Sequence, residues 1–376
     1  MKVAIVKERG EHETRVSASP DSVKKLLALG LEVVVESGAG LRSRYSDEAY
    51  RDAGAAIADD ARAALADADV VFCVERPHAD QIEHIRKGAA LIGALAPYGD
   101  RAAFEDYAKR GIDAFAMELM PRISRAQSMD VLSSQSNLAG YKAVVDAAAL
   151  FERAMPMMMT AAGTIAPARV MVLGAGVAGL QAIATARRLG AIVSATDVRP
   201  VAKEQVESLG ATFVMVESEE SEQAETAGGY AKEMSEDYKR RQAELVAKTL
   251  EKQDIVICTA LIPGRPAPKL VSRAMVESMR AGSIVVDLAV EQGGNCELSK
   301  PGEVVEHRGV RIVGHRNVPG RLPVDASALY ARNLVNFISP FVDKEGGKVE
   351  FDWDDELVKG TGLTRDGAVV HPSLEK

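Results

Sequence analysis

Residues 169–197 limit the possible folds of this chain more than any other segment. Mostly apolar residues run from Arg169 into the glycine-rich segment 174–179. A helical pattern follows the glycines, and a second apolar run ends at Asp197. A strand, a glycine turn, a helix and a second strand in this order predict one unit of a parallel sheet with helices on its faces.

The three glycines of this segment have distinct expected roles. Gly174 permits a tight turn after the strand, Gly176 lets the backbone approach a pyrophosphate, and Gly179 lets the helix pack on the sheet. The helix that begins near Val177 offers free N–H groups and a partial positive charge to phosphates. The segment therefore predicts a dinucleotide site, and the alternative is a tight turn without a ligand.

An acidic residue ends the second apolar run. The Asp197 carboxylate is placed to accept hydrogen bonds from an adenosine ribose, whereas a 2′-phosphate there would meet like charge. This favours NAD(H) over NADP(H) as the cofactor. Val198 and Arg199 follow directly. We expect both to border the nucleotide, with the Arg199 side chain stacked beside the adenine or solvated.

The bulk properties of the chain exclude several classes of protein. Its 376 residues suggest two domains, and its net charge of −8 argues against nucleic acid as a partner. The three cysteines lack metal or redox spacing, so we expect small buried residues and no metal. The N-terminus does not read as a signal peptide, and no run of about 18 apolar residues is uninterrupted, so we expect a soluble, cytoplasmic chain.

Short apolar runs alternate with helical patterns along most of the chain. The predicted strands are 2–6, 33–35, 70–74, 89–95 and 112–116 in the first third, then 169–173, 191–196, 211–216, 254–258 and 283–287. This alternation predicts an α/β protein with two Rossmann-like, doubly wound parallel sheets. We expect residues 1–136 plus 326–376 to form the first domain, to which the C-terminal segment returns. Residues 137–325 would form the NAD-binding domain.

Residues 217–242 interrupt this alternation with an acidic, weakly hydrophobic insertion. Gly228, Gly229 and Tyr230 lie at its centre. One interpretation is a solvated surface loop, the usual form of such segments. The other is a mobile lid with the glycine pair as its hinge and Tyr230 as its apolar anchor.

A cluster of methionines lies at residues 155–159. Methionines at this density are usually core filler and less often an adaptable contact surface. The sequence leaves both interpretations open.

A dense polar segment lies between residues 122 and 137. It holds Arg122, Arg125, Gln127, Asp130 and Ser133 among apolar residues. Part of it caps the following helix, but this mixture also predicts a loop that holds a polar ligand, because arginine binds phosphate or carboxylate and glutamine orients an amide. None of the six histidines lies in a recognisable acid/base pattern.

Several long strings of sequence resemble one known family. They lie at residues 117–130, 132–141, 161–164, 225–234, 259–264 and 287–296. On these strings the chain resembles the NAD(H)-binding, soluble component of proton-translocating NAD(P) transhydrogenase, a family related to alanine dehydrogenase. The resemblance implies a homodimer that binds NAD(H), a partner subunit that binds NADP(H), and a membrane subunit that conducts protons. The chain would then be peripheral on the inner membrane through its partners.

The resemblance also implies roles for single residues. Arg122, Gln127, Asp130 and Ser133 match the loop beside the nicotinamide, where we expect the catalytic residues. Gly229 and Tyr230 match the tip of a mobile loop. The full set of expected cofactor contacts is Arg122, Arg125, Gln127, Asp130, Ser133, Gly174, Gly176, Val177, Gly179, Asp197, Val198, Arg199, Gly229, Tyr230 and Leu261. Direct hydride transfer from NADH to NADP⁺ needs no general acid or base, which agrees with the missing proton-transfer group.

Alanine dehydrogenase is the competing interpretation. Arg15 matches the substrate-binding arginine of that family. However, Glu75 stands where the family has a lysine and Ala96 where it has the catalytic histidine. Glu291 replaces a catalytic aspartate. A third interpretation, a non-catalytic NAD-binding regulator, is open to any Rossmann domain, but the polar loop at 122–133 favours chemistry.

Overall fold

The computed structural model divides the chain into two compact units. Unit 1 comprises Met1–Gln135 and Pro319–Lys376, and unit 2 comprises Ser136–Val318. The structure describes residues 1–199, 201–216, 235–343 and 347–374. The C-terminal segment belongs to unit 1, as predicted, and each unit is an α/β fold around its own sheet.

Unit 1 is built on a six-stranded sheet with the order β3-β2-β1-β4-β5-β6. The strands are β1 Lys2–Ile5, β2 Glu32–Glu36, β3 Ala56–Ala58, β4 Val70–Phe72, β5 Ala90–Gly93 and β6 Asp113–Ala116. All neighbours pair in parallel, and the order turns back between β1 and β4. This is the doubly wound topology that the alternating pattern predicted.

Helices connect the strands of unit 1. They are α1 Pro20–Ala28, α2 Asp47–Asp52, α3 Ala61–Leu65, α4 Ala79–Ile82 and α5 Arg101–Arg110. At the start of α1 the Ser19 side chain accepts a hydrogen bond from the Ser22 N–H at 3.2 Å. This cap, with Pro20 in the first turn, explains why the helix begins there. The next helix, α6 Val131–Leu150, has its first residues in unit 1 and the rest in unit 2.

A short antiparallel hairpin, β7 Met158–Thr160 and β8 Gly163–Ile165, follows α6, and all of its strand residues are exposed. Met157, Met158 and Met159 are 58%, 48% and 74% exposed. The usual interpretation of the methionine cluster as core filler is therefore wrong for these three and holds only for the buried Met155. Because two strands alone are marginally stable in water, this surface requires an explanation.

Unit 2 contains a seven-stranded sheet with the order β11-β10-β9-β12-β13-β15-β14. The strands are β9 Arg169–Leu173, β10 Ile192–Thr196, β11 Thr212–Phe213, β12 Ile255–Cys258, β13 Ile284–Asp287, β14 Val304–His307 and β15 Val310–Val313. The sheet is mixed rather than wholly parallel, because the edge strand β14 pairs antiparallel with β15. A short loop joins these two strands, and such a loop permits only an antiparallel pair.

Besides α6, four helices of unit 2 are described: α7 Val177–Arg188, α8 Val201–Ser208, α9 Glu236–Leu250 and α10 Arg273–Ser278. The expectation of a loop through residue 242 is wrong at its C-terminal end, since α9 begins at Glu236. There the Ser235 side chain accepts a hydrogen bond from the Tyr238 N–H. Residues 217–234, which include Gly229 and Tyr230, lie outside the described residues.

The C-terminal segment completes the core of unit 1. It contains α11 Pro323–Ile338, α12 Glu356–Thr361, and two small antiparallel pairs, β16 Val342–Asp343 with β17 Lys348–Val349 and β18 Thr364–Arg365 with β19 Ala368–Val369. On α11 the Tyr330 hydroxyl donates to the Cys73 carbonyl at 3.0 Å and accepts from the Ala94 N–H at 2.9 Å. These bonds fix the segment against the ends of β4 and β5.

Two further expectations concern the cysteines and membrane-spanning helices. All three cysteines are buried as free thiols, as expected of small core residues. Within the described ranges, no helix combines the length and the apolar character that a membrane crossing requires.

Candidate dinucleotide site

The glycine turn of unit 2 has the geometry that a phosphate-binding loop requires. Gly174 has a φ of +100°, and a Cβ on Gly179 would lie 1.9 Å from the Gly174 carbonyl oxygen. Side chains are therefore excluded where α7 meets β9. A Cβ on Gly176, by contrast, would have no atom within 4 Å, so the backbone at the start of α7 borders open space. The turn fits a pyrophosphate at a helix N-terminus.

Asp197 holds this turn from the end of β10. Its Oδ2 atom accepts a hydrogen bond from the Ala175 N–H at 2.7 Å, and Oδ1 accepts one from the Arg199 N–H at 2.9 Å. The Arg199 side chain also donates to both oxygens, from Nε at 2.9 Å and from Nη2 at 2.8 Å. The carboxylate therefore fixes the turn and has an arginine as its counter-ion.

The expectation that Arg199 is solvated is wrong, whereas its stacking beside an adenine stays a prediction. Its side chain is only 19% exposed, and its guanidinium forms a two-point ion pair with Asp197. Asp197 and Arg199 lie two residues apart in the turn after β10, within reach of a charge-assisted, bidentate contact. A partly buried cation thus lies directly beside the carboxylate assigned to the ribose.

The loop after β12 lies against the glycine turn. The Thr259 hydroxyl donates to the Gly174 carbonyl at 2.8 Å, and a Cβ on Gly174 would lie 3.2 Å from the Ala260 nitrogen. Leu261 follows and is 39% exposed. Those expected contacts of unit 2 that lie within the described residues therefore gather at the carboxyl ends of β9, β10 and β12. This is the edge where the strand order turns back and where ligands of such sheets bind.

Sequence reasoning missed two residues beside this edge. The Gln242 amide on α9 donates to the Thr196 hydroxyl at 2.8 Å and accepts from the Val216 N–H at 3.0 Å. Tyr238 is buried against Val198 and Val216. The sequence signal for them is the capping residue Ser235, which starts a helix within the insertion 217–242.

The polar loop of unit 1 contains both exposed side chains and side chains that are hydrogen-bonded to each other. Arg122 and Gln127 are exposed, on a segment that ends in the 3-10 helix Ser124–Met129. Asp130 caps α6, accepting from the Ser133 N–H at 2.9 Å and from the Ser133 hydroxyl at 2.5 Å. The capping interpretation is thus correct for these two residues, which also remain candidates for ligand contact.

Arg125 has a different environment from the rest of the loop. Its guanidinium forms a two-point ion pair with Asp355, at 2.8 Å and 2.6 Å. Both donors of this pair point to a carboxylate of the C-terminal segment. The bonding gives Arg125 a structural role that the sequence did not indicate.

Arg15, the residue that matches the substrate-binding arginine of alanine dehydrogenase, is held by neighbouring side chains. Arg15 donates from Nε and Nη2 to the two carboxylate oxygens of Glu13, at 2.8 Å and 2.6 Å, and from Nη1 to the Gln135 side chain at 3.0 Å. The Glu13 side chain is fully buried. Because Glu13 already occupies its two-donor edge, Arg15 cannot offer that edge to a carboxylate substrate.

Glu8 lies close to this pair and joins two loops. Its carboxylate accepts hydrogen bonds from the Val74 N–H at 2.6 Å and the Glu75 N–H at 3.2 Å. Burial raises the pKa of Glu8 to about 8 despite the opposing Val74 hydrogen bond, and repulsion from Glu13 and Glu75 adds to the rise.

We expect this carboxyl group to make the protein less stable as pH rises. With a pKa raised from 4.5 to about 8, the folded state binds more protons than the unfolded state between these values. The free energy of unfolding therefore decreases as pH rises through this window. Denaturant unfolding measured between these pH values should show that the free energy of unfolding falls less steeply with pH for Glu8→Gln than for the native chain. If it fell equally steeply in both proteins, the raised pKa would not belong to Glu8.

Comparison with known proteins agrees with the two-unit architecture. The N-terminal domain family of alanine dehydrogenase/PNT matches residues 4–139, and the C-terminal domain family of the same name matches residues 143–372. Together these families cover nearly the whole chain.

Individual relatives and solved structures are similar over most or all of their length. The first part of the NAD(P) transhydrogenase alpha subunit of Rhodospirillum rubrum is 58% identical, over 100% of this chain and 99% of the relative. Alanine dehydrogenase 1 of Staphylococcus aureus is 30% identical, over 92% of this chain and 88% of the relative. The crystal structure of transhydrogenase from Sinorhizobium meliloti is 56% identical with a TM-score of 0.89, over 98% of this chain and 100% of that chain.

Proposed function

The chain belongs to the alanine dehydrogenase/PNT family, and from this premise we propose that it is the NAD(H)-binding component of a proton-translocating NAD(P) transhydrogenase. It holds NAD(H) at the glycine turn of unit 2 and presents it to NADP(H) on a partner subunit. The observation that carries this proposal is the Asp197 carboxylate, bonded to the turn at Ala175 beside open space over Gly176. That arrangement suits a ribose and pyrophosphate.

The proposed reaction is direct hydride transfer from NADH to NADP⁺. Bound dihydronicotinamide supplies the hydride, so the chain need only orient groups and exclude water. By the family resemblance we assign the exposed Arg122 and Gln127 to the nicotinamide end, while Asp130 and Ser133 fix the start of α6. None of these side chains has to give or take a proton.

Amino-acid dehydrogenation fits the observed side chains less well. The Arg15 guanidinium is held by Glu13 and Gln135, and the Glu75 carboxylate lies beside Gly10, where a Cβ would approach it to 2.6 Å. Ala96 offers no proton donor. A keto acid would therefore lie near the Glu75 carboxylate, and Ala96 could not serve as its general acid.

The proposal can be tested with the purified chain and its partners. NADH should reduce an NADP⁺ analogue only when an NADP(H)-binding transhydrogenase component is added. Alanine should not reduce NAD⁺ with the chain alone. Alanine-dependent reduction would overturn the proposal, and NADH binding without transfer in the complete mixture would favour a regulator.

The proposed partners also define where the chain acts. Proton movement would be carried by a membrane subunit, with the present chain on the cytoplasmic side of the inner membrane as a peripheral component. The coupling between hydride transfer and proton movement would then reside in those partners.

A second copy of the chain is the proposed occupant of the exposed hairpin. Met158, Met159 and Ile165 carry apolar surface on two strands that no described residue of unit 2 covers. An identical chain is always present to cover such a surface, and a two-fold axis buries both hairpins at once.

We therefore expect Met159→Asp to weaken self-association. A charge in the covered surface should raise the dimer dissociation constant by at least about 30-fold, as loss of a central interface contact does. Light scattering after size-exclusion chromatography measures the change. Leu41→Asp, at a 59% exposed position of unit 1, is the matched control and should leave the mass unchanged. Equal masses for Met159→Asp and the native chain would contradict this interface.

A further inference from the structure

Asn295 forms hydrogen bonds with both ends of the loop that follows β12. Its side chain is fully buried. The amide nitrogen donates to the Ala260 carbonyl at 2.9 Å and to the Pro268 carbonyl at 2.8 Å, and the amide oxygen accepts from the Ala260 N–H at 3.0 Å. All of the hydrogen-bonding capacity of the –NH₂ group is thus used on the backbone of one loop.

The backbone of Asn295 binds the far end of the same loop. Its carbonyl accepts from the N–H groups of Leu270 and Val271, at 2.8 Å and 3.0 Å. One residue therefore fixes the loop at Ala260, Pro268 and Leu270. The position of Ala260 depends on this buried amide and not on packing alone.

Ala260 in turn lies against the glycine turn. A Cβ on Gly174 would come within 2.7 Å of the Thr259 hydroxyl and 3.2 Å of the Ala260 nitrogen. A shift of Ala260 would therefore move the surface that borders the turn and the exposed Leu261. The effect of Asn295 reaches the candidate site through one intervening residue.

The strand order indicates which half of a dinucleotide this loop faces. Asp197, assigned to the adenosine ribose, ends β10 on one side of β9, whereas the loop follows β12 on the other side. In a sheet of this topology the two halves of a dinucleotide lie on opposite sides of the point where the order turns back. The loop after β12 therefore faces the nicotinamide half.

We propose that Asn295 is a positioning residue for the nicotinamide half of the dinucleotide, acting through Ala260 and the loop 259–264. The proposal rests on the proposed NAD(H) binding. An aspartate of the same shape could not replace Asn295, because its carboxylate would face the Ala260 and Pro268 carbonyl oxygens without a hydrogen to share.

The test compares NADH with AMP, which carries only the adenosine half. For Asn295→Asp we expect the dissociation constant of NADH to rise about tenfold, and that of AMP to stay within about twofold of the native value, since loss of one buried hydrogen bond is worth about this factor. Asn295→Ala should show the same selectivity with a smaller change, and it carries the test if the aspartate variant does not fold. Calorimetric titration measures both ligands.

Other results separate the proposal from its premise. Equal weakening of NADH and AMP would overturn the proposal, because a merely structural asparagine affects both halves alike. Unchanged NADH binding in both variants would also overturn it. If the native chain bound neither ligand, the proposed NAD(H) site itself would fail, and the positioning role would fail with it.

Discussion

Replacing Asp197 by alanine is expected to lower the affinity for NADH by roughly 30-fold, or about 2 kcal/mol, the usual value of a lost hydrogen bond to a charged group. The carboxylate is the assigned acceptor for the adenosine ribose and also holds the Ala175 N–H of the glycine turn at 2.7 Å. Both functions are lost together. Titration of the purified chain by NADH fluorescence measures the change.

The same substitution should also alter the choice between NADH and NADPH. In the native chain the Arg199 cation is neutralised by Asp197. Without the carboxylate, the partly buried Arg199 loses its Asp197 counter-ion, and the like charge that would repel the 2′-phosphate of NADPH is removed, so that this arginine can bind the phosphate. NADPH should therefore bind Asp197→Ala more tightly than it binds the native chain. The double variant Asp197→Ala/Arg199→Ala should lose this gain.

Asp254 provides a matched control in the same sheet. Its carboxylate likewise accepts from a backbone N–H, that of Arg169 at 2.8 Å, and from an arginine, Arg153 at 2.9 Å. However, it precedes β12 and so lies at the opposite edge from Asp197. Asp254→Ala should destabilise the fold without changing the preference between the nucleotides. Equal changes in both variants would contradict the assignment of Asp197.

The dinucleotide turn could be predicted from sequence because its requirements are local. Gly174 needs a positive φ and Gly179 a close approach of helix to strand, and both needs act within a few residues. The two α/β sheets followed from apolar periodicity, which reports burial along each strand, whereas periodicity does not indicate that the C-terminal segment returns to unit 1.

The features that were missed depend on contacts that periodicity does not encode. The ion pair of Arg199 with Asp197 reflects side-chain geometry in a turn, and the antiparallel strand β14 reflects a tight connection at a sheet edge. The exposed methionines of the hairpin have the composition of a core, so that composition alone predicts the wrong environment. Asn295 carries no motif, because its partners are backbone groups distant in sequence.

Gln127→Asn is expected to reduce hydride transfer on the order of 100-fold while the dissociation constant of NADH stays nearly unchanged. The Gln127 side chain is exposed on the polar loop of unit 1, where its amide can orient a polar group of the nicotinamide end. Asparagine keeps the amide and withdraws it by one methylene. A misplacement of about 1 Å is enough for such a loss when a step depends on alignment.

The measurement is single-turnover transfer from NADH to an NADP⁺ analogue, in the complex with the NADP(H)-binding component, beside a binding titration of the same variant. Ser128→Ala is the matched control, because it changes the neighbouring exposed side chain while the Ser128 carbonyl keeps its bonds from Asn333 and Asn336 at 2.9 Å. Ser128→Ala should leave both the transfer rate and the dissociation constant of NADH unchanged. If Gln127→Asn were equally silent in transfer, the loop would not border the reacting ring. If binding fell in step with transfer, Gln127 would contribute to affinity alone, and the alignment that distinguishes this loop from an ordinary binding surface would have to come from another residue.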